Sequence, residues 1–408
     1  MASRELFSLG KLYPSDFLKP GEEPRCEPIE LKLVMEDNGL VHLEKTAPKE
    51  AMWGRYWYRS GINSTMKNEL KNIVDSILPL MKFEENSIWL DVASNDGTLL
   101  SFVPSSFIKI GIDPAEDSFK KEAEKHADLV IQNYFSSEVY GLSKFGNQKA
   151  KVVTSIAVFY DLEKPEEFVK GVYEILDDNG LWVLQMSYTP LMQEQLAMDN
   201  ILHEHWAYYT LTTLRGIIEP LGFKIMDCIL NDINGGSFRV YLMKDNADFT
   251  KFGTQPYRDV CGFRVNSILS GEYVLMSNKE TKWEDFFYSI NDLKLRIRSF
   301  IIIEKAKGKS IWGYGASTKG NTLLQYFGLN SELIDGIADR NIDKWGLITV
   351  GTNIQIYSEG DMRKAKPDYL LILPWHFIYE FKERENELLK SGTKFIVPCP
   401  KFEIIGYD

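Results

Sequence analysis

The stretch Ser87–Leu100, SIWLDVASNDGTLL, constrains this chain more than any other. The apolar run Ile88–Val92 overlaps the small-residue series Asp91-Val92-Ala93-Ser94-Asn95-Asp96-Gly97, which leads into apolar Leu99-Leu100. That order predicts a buried strand, a tight turn and the start of a helix. Such a turn leaves backbone N–H groups open at a helix N-terminus, and Gly97 lets a ligand come close to the backbone. A second strand, Ile108–Ile112, ends in Asp113. Acids at two neighbouring strand tips, Asp91 and Asp113, suit a ligand carrying an ammonium group and a ribose diol, as S-adenosylmethionine (SAM) does. NAD-binding folds share the ribose acid but prefer G-x-G-x-x-G in the turn, and one glycine is a poor match. Another nucleotide and an ordinary βα turn remain open on this stretch alone.

From Ile88 to Leu242 strands and helices alternate. Further strands are expected at Leu129–Ile131, Lys151–Ser155, Leu181–Met186, Lys224–Leu230 and Phe238–Met243, with helices at Glu116–Lys125, Pro165–Leu176 and Leu211–Pro220. This predicts an α/β fold with a doubly wound sheet and a ligand crevice at the carboxyl ends of its strands. Asn133 after the third strand, and Ser155 and Ala157 after the fourth, fall on that rim, near an adenine and a methyl donor respectively. Each also fits a routine loop.

The chain has 408 residues, 44% of them hydrophobic, enough for two to three domains. A net charge of −11 argues against general nucleic-acid binding and against an anionic membrane surface. No apolar run reaches the ~18 residues of a spanning helix, and MASRELFSLGKLYPS lacks the apolar core of a signal peptide. Cys26, Cys228, Cys261 and Cys399 are too scattered for a metal site or a disulfide framework. A cytoplasmic enzyme is the expectation.

The first fifty residues are turn-rich, with a hairpin signal in Ile29–Val34, Asn38-Gly39 and Leu40–Leu43. The aromatic segment Trp53–Gly61, which includes Tyr58, reads as packing against a neighbouring domain or as a wall of the substrate pocket. Asn63–Lys82 has helical spacing in Met66, Leu70, Ile73, Ile77 and Leu80. Phe286, Ile290, Leu293 and Ile297 mark an amphipathic helix in a connector over 246–306. A second α/β unit begins at Lys309, with strand Ser310–Trp312, turn Gly313–Gly320, helix Asn321–Phe327 and strand Leu333–Ala338 ending in Asp339. Ser317, Thr318 and Lys319 at a helix N-terminus suit a phosphate or pyrophosphate. The turn is neither a Walker A motif nor a clean G-x-G-x-x-G, and a purely structural turn fits it too.

The densest reactive cluster is Leu202-His203-Glu204-His205-Trp206-Ala207-Tyr208-Tyr209, beyond the fifth strand on the crevice side. A histidine there can take a proton at neutral pH, a carboxylate such as Glu204 can orient it, and a tyrosine can donate to an oxyanion. Metal ligation by His203 and His205 and plain packing are the rival readings; a third nearby histidine is missing for a metal site. Asn234-Gly235-Gly236-Ser237 lines the same pocket or is only a hairpin turn.

These motifs resemble, nearly end to end and in order, the SAM-dependent C-methyltransferases that act on nucleotide-linked deoxy-ketosugars. The resemblance is carried by SNDGTLL at 94–100, GIDPA at 111–115, HEH at 203–205, NGGSFRVY at 234–241 and GYGASTKGNTLLQY at 313–326. It implies an N-terminal zinc module, a central class I SAM methyltransferase sheet of Rossmann-like type, and a C-terminal Rossmann-like domain, with a nucleotide-diphosphate sugar between the last two. It also implies base catalysis by His205 beside Glu204. The family's second zinc C-x-x-C pair maps to Met35 and Asn38, and the first falls before or across the start of the chain, so no metal is expected. A family tyrosine is replaced by Leu202 and a family histidine by Asn234.

The expected division is an N-terminal β-rich lobe over 1–75, a SAM domain over 76–245, the connector, and an acceptor-binding domain over 307–408. The expected cofactor site is Asp91, Ser94, Asn95, Gly97, Asp113, Asn133, Ser155 and Ala157. The expected catalytic set is His205, Glu204, His203, Tyr208 and Tyr58. Asn234, Gly235, Gly236, Ser317, Thr318 and Lys319 are expected to hold the acceptor. The reaction expected is methylation of a carbon beside a keto group. Alternatives are an O-methyltransferase, an NAD-dependent oxidoreductase using Gly313, Gly315 and Asp339, or a sugar-nucleotide-binding protein without catalysis.

Overall fold

The computed structural model describes residues 3–53, 55–276 and 278–407, so Gly54 of the aromatic segment lies outside the described residues. Its centre is a seven-stranded sheet built from β5 (Ile88–Val92), β6 (Ile108–Ile112), β7 (Leu129–Ile131), β8 (Ala150–Ile156), β9 (Leu176–Ser187), β11 (Phe223–Asn231) and β12 (Ser237–Lys244). The order is β11-β12-β9-β8-β5-β6-β7, and β12 runs against both of its neighbours. The strand order reverses between β5 and β8, which are parallel. A doubly wound sheet opens its ligand crevice at that switch point, outside the carboxyl ends. This is the class I methyltransferase arrangement expected from the sequence.

The second α/β unit has β13 (Ile311–Tyr314), β14 (Gly336–Asp339), β16 (Ile356–Ser358), β17 (Tyr369–Ile372), β18 (Lys394–Val397) and β19 (Glu403–Ile405). Its order, β16-β14-β13-β17-β18-β19, has a switch point of the same kind between β13 and β17.

The N-terminal residues feed three units. The hairpin of β3 (Ile29–Glu36) and β4 (Val41–Leu43) is flanked by β1 (Ser3–Leu12) and by β10 (Ala207–Tyr208), which comes from beside the HEH cluster. The short β2 (Phe17–Leu18) pairs with β15 (Ile348–Thr349) of the C-terminal unit. Strand β1 is not legible in the sequence: Gly10 interrupts it and its register with β3 slips twice. Met35, one of the mapped zinc positions, is buried in β3, and Asn38 turns the hairpin by accepting from the Leu40 N–H at 2.8 Å. Among the described residues no three His, Cys, Asp or Glu side chains stand where they could share a metal ion. Because Met35 and Asn38 stand where the second C-x-x-C pair maps, elemental analysis is expected to find no stoichiometric zinc. About one zinc per chain, lost together with the fold on chelation, would contradict this.

The helix expected over Asn63–Lys82 runs Ser64–Ile77, capped by the Asn63 side chain. Pro79 then converts it to a single 3₁₀ turn, Leu78–Leu80, because proline cannot donate and its ring crowds the preceding residue. The connector is two long helices, Gln255–Met276 and Lys279–Ala306. Phe286, Ile290, Leu293 and Ile297 are buried, as their spacing requires. The first helix is pinned to the central sheet. Arg264 binds both oxygens of Asp227, and buried Glu272 accepts from the Leu211 and Thr212 N–H groups at 2.6 and 2.7 Å, capping the helix Leu211–Ile218.

Candidate active site

The turn after β5 is held by Asp113. Its Oδ2 accepts from the Asn95 N–H at 2.8 Å and its Oδ1 from the Ala115 N–H at 2.7 Å. One carboxylate thus fixes the turn and the tip of β6 together. Asp91 is 3% exposed and accepts from the Thr154 hydroxyl at 2.6 Å; burial pushes its carboxyl up to about 7. Ser94 Oγ is buried without a hydrogen-bond partner. An orphaned hydroxyl between two acids, beside a turn of backbone donors, fits the polar groups of SAM. Gly97 has a nearer reason than a ligand for being glycine. Its φ is +75°, and a Cβ there would stand 2.7 Å from the Ala123 Cα.

Other expected cofactor contacts differ. Ser155 is fully buried and its Oγ accepts from the Trp182 indole N–H at 2.8 Å, so strand alternation turns it into the core instead of onto the rim. Asn133 is exposed and its Oδ1 accepts from the Tyr134 N–H. Ala157 stays at the lip of β8, half-buried, with a φ of +55°.

The aromatic segment covers the turn. Asn95 Oδ1 accepts from the Ser60 N–H, Asn95 Nδ2 donates to the Tyr58 carbonyl at 3.0 Å, and Asp96 Oδ2 accepts from the Gly61 N–H at 2.8 Å. Arg59 lies over the Phe119 ring at 3.9 Å. On its other side Trp57 donates to Asp16 and packs edge-on against Phe17. This segment therefore bridges the SAM crevice and the C-terminal unit, where Tyr58 and Arg59 line a cleft with Ser317, Arg340, Phe377 and Arg384.

Within that cleft Asp339 repeats the arrangement of Asp113. It accepts from the Ala316 N–H, in the turn after β13, and from the Asn341 N–H, both at 2.7 Å. Ser317 caps the helix Thr318–Phe327 through the Gly320 N–H at 2.9 Å. Thr318 contributes its carbonyl, which accepts from the Ser15 hydroxyl. Lys319 is not part of this cleft. Its Nζ donates to Asn200 Oδ1 at 2.6 Å, on the side of the HEH cluster. A phosphate-binding turn of Ser317, Thr318 and Lys319 acting together is therefore corrected to a cap, a tether and a separate lysine.

Asn200, fully buried, organises the reactive cluster. Its carbonyl accepts from His205 Nδ1 at 2.9 Å; a carbonyl cannot donate, so Nδ1 carries the proton and Nε2 keeps the lone pair. The His205 ring packs on Tyr160, with 4.0 Å between centroids. Burial, then the charge of Lys319, hold its pKa well below the usual histidine range, so the ring is neutral at pH 7. Asn200 Nδ2 donates to the Asn234 carbonyl at 3.2 Å, which ties in the Gly-Gly turn. Gly235 and Gly236 are required by packing: a Cβ would lie 2.8 Å from Ala197 Cβ or 2.4 Å from Leu191 Cβ.

The partner expected to orient His205 was Glu204, and the structure gives that task to Asn200. The Glu204 side chain makes no hydrogen bond among the described residues, and burial raises its pKa to about 8. His203 turns away, bonding the Ile29 carbonyl at 3.1 Å, and burial lowers it to about 4. Tyr208 sits in β10 and packs edge-on against Trp283. Asp161, Asp199 and Tyr160, which no motif marks, join the cluster, as does Tyr56 of the aromatic segment. Asp161 Oδ1 and Asp199 Oδ1 are buried and unpaired. Asp161 lies in Phe159-Tyr160-Asp161-Leu162 just past β8, and a lone charge in an apolar run at a strand tip was the available signal. His376, distant in sequence, also lies within the field of Lys319.

Residues 62–227 match the family described as a methyltransferase domain, and residues 232–400 match the C-methyltransferase C-terminal domain. C-methyltransferase NovU of Streptomyces niveus is 26% identical over 370 residues, spanning 90% of this chain and 86% of NovU. Among solved structures, a SAM-dependent methyltransferase of Clostridium acetobutylicum matches 45% of this chain and 93% of its own, at 13% identity and a TM-score of 0.33. Magnesium protoporphyrin IX methyltransferase of Synechocystis, solved with bound SAM, matches 44% and 79%, at 13% identity and a TM-score of 0.31. The two family matches cover both α/β units in order, and the NovU likeness runs through them: the chain is a SAM-dependent methyltransferase and belongs with the C-methyltransferases.

Proposed function

We propose that this enzyme methylates the carbon beside the keto group of a nucleotide-diphosphate-linked deoxysugar, with His205 as the base. The observation that carries this reading is the state of His205. It is a buried, neutral imidazole whose Nδ1 proton is committed to the Asn200 carbonyl, leaving Nε2 to accept a proton. When bound, SAM supplies an electrophilic methyl group: the enolate carbon's electron pair forms the new C–C bond while the S–CH₃ pair stays on sulfur. The chain's own work is to hold both reactants and move one proton. Asp113 is assigned to the ribose hydroxyls and Asp91 to the amino group of SAM, with Ser94 and the turn over 94–97 between them. The nucleotide is assigned to the cleft at the tips of β13 and β14, where Asp339 stands as Asp113 does in the first crevice. No described helix is long and apolar enough to cross a membrane, and we place the reaction in the cytoplasm, where nucleotide sugars are made.

The assignment of Asp91 has a pH consequence. Its carboxyl, pushed up to about 7 by burial, must lose its proton to hold an ammonium group. SAM affinity should therefore rise as pH rises through 7 and level off above it. A flat affinity profile by calorimetry between pH 6 and about 8 would remove Asp91 from the amino-group site.

The reading is tested by incubating the enzyme with SAM and a panel of nucleotide-linked keto-deoxysugars and following the products by mass spectrometry. One added methyl on a sugar nucleotide is expected. Methylation confined to acceptors with no carbonyl group would contradict it.

A further inference from the structure

Lys319 is a desolvated cation without a direct ion pair among the described residues. It sits at the first turn of the helix Thr318–Phe327, yet its ammonium points away from the cleft that this helix borders. Its hydrogen bonds go to neutral acceptors, the Asn200 side chain at 2.6 Å and the Asn234 carbonyl at 3.5 Å. Asp161, Asp199 and Glu204 surround it closely enough to act on its charge, but among the described residues no carboxylate oxygen comes within 4.0 Å of Nζ. Buried ammonium groups are ordinarily paired directly. Here the cation has no direct carboxylate contact among the described residues, and two oxygens of those neighbouring carboxylates, Asp161 Oδ1 and Asp199 Oδ1, are buried without a partner. An ammonium bonded only to neutral acceptors keeps its charge available to an oxygen atom of a ligand.

Asn200 places this ammonium beside His205: the residue whose carbonyl orients the imidazole is the one whose side chain holds the ammonium. Resting on the enolate reading of the reaction, we propose that Lys319 is a catalytic residue whose ammonium binds the keto oxygen of the acceptor and holds it as it becomes the enolate oxygen. His205 Nε2 takes the proton from the α-carbon, the C–H electron pair becomes the C=C bond, and the carbonyl π pair moves onto the oxygen held by Lys319. Asn200 is the positioning residue that sets the two groups against one substrate. Burial raises the Glu204 carboxyl to about 8 and pushes the Asp161 carboxyl up as well, which lessens their opposition to an oxyanion beside them.

The test is exchange of the acceptor's α-proton with deuterated water, in the presence of S-adenosylhomocysteine, using UDP-, dTDP- and CDP-linked 4-keto-6-deoxyhexoses. Loss of a preorganised oxyanion partner typically costs ~10²–10³-fold in rate. Lys319→Met should therefore slow exchange and methylation by that factor, with SAM affinity kept and acceptor KM little changed, and Lys319→Arg should restore part of the rate. Asn200→Asp, which sets a carboxylate against the ammonium without changing shape, should also slow exchange and serves as the readout if Lys319→Met does not fold. Exchange near the wild-type rate in either folded variant overturns the proposal while leaving the enolate reading intact. A raised KM with unchanged kcat in Lys319→Met would return the lysine to simple acceptor binding. Wild-type enzyme that methylates one of these acceptors without exchanging its α-proton would overturn the enolate reading itself.

Discussion

Replacing His205 with alanine is expected to lower kcat by ~10²–10⁴-fold, the usual contribution of a positioned base. The α-proton of a ketosugar is weakly acidic, so its removal at neutral pH needs an unprotonated base already aimed at it. On the proposed reading His205 is that base: burial keeps it neutral and the Asn200 carbonyl fixes its ring. Its low pKa has a clear sign. Burial lowers its pKa well below the usual histidine value, so kcat at saturating SAM should not fall with histidine protonation as pH drops through the ordinary histidine range. SAM affinity should be unchanged in the variant, because His205 makes no contact with Asp91, Asp113 or the turn between them. Of the other histidines, His203 is committed to the Ile29 carbonyl and His42 is stacked on Trp206 in the N-terminal sheet. His376 alone shares the field of Lys319, so His376→Ala is the proper control. A His205→Ala enzyme within a few-fold of wild type, together with a dead His376→Ala enzyme, would move the base to the C-terminal unit.

The second large effect is at Asp113. Asp113→Ala should weaken SAM ~10- to 150-fold, the equivalent of roughly 1.5–3 kcal/mol for a hydrogen bond to a charged group. The substitution removes the proposed ribose partner and also frees the Asn95 and Ala115 N–H groups that the carboxylate now holds. Asp113→Asn keeps one acceptor oxygen and should lose less. Unchanged SAM affinity in calorimetry for the alanine variant would contradict the assignment. A fall in thermal stability without a fall in affinity would reduce Asp113 to a structural clasp of the turn.

The fold was legible wherever a single element announces itself. The run Ile88–Val92 followed by small residues could only be a strand entering a tight turn, and the alternation through Leu242 could only be a wound sheet. The amphipathic steps at Phe286, Ile290, Leu293 and Ile297 correctly predicted which face the connector buries. What failed depended on partners far away in sequence. Strand β1 exists because β3 pairs with it, across two register shifts. Ser155 looked like a rim residue, and only the position of Trp182 on the next strand shows that its hydroxyl belongs to the core. The cluster shows the same division. The His203-Glu204-His205 motif marks the cluster and the family resemblance favours His205, but the residue that holds the His205 ring lies five positions earlier and acts through its backbone, which no side-chain pattern encodes. Lys319 stood out in the sequence as a cation at a helix N-terminus. Its direction was not legible, because that depends on how the second sheet docks against Asn200.

Transfer from SAM carrying a ¹³C-labelled methyl group, followed by NMR of the product, tests the central claim most directly. The account predicts a methyl carbon bonded to the carbon beside the sugar's carbonyl, with the deuterium content at that carbon falling when the acceptor is labelled there. A labelled methyl bonded to oxygen, with the α-deuterium fully retained, would contradict it.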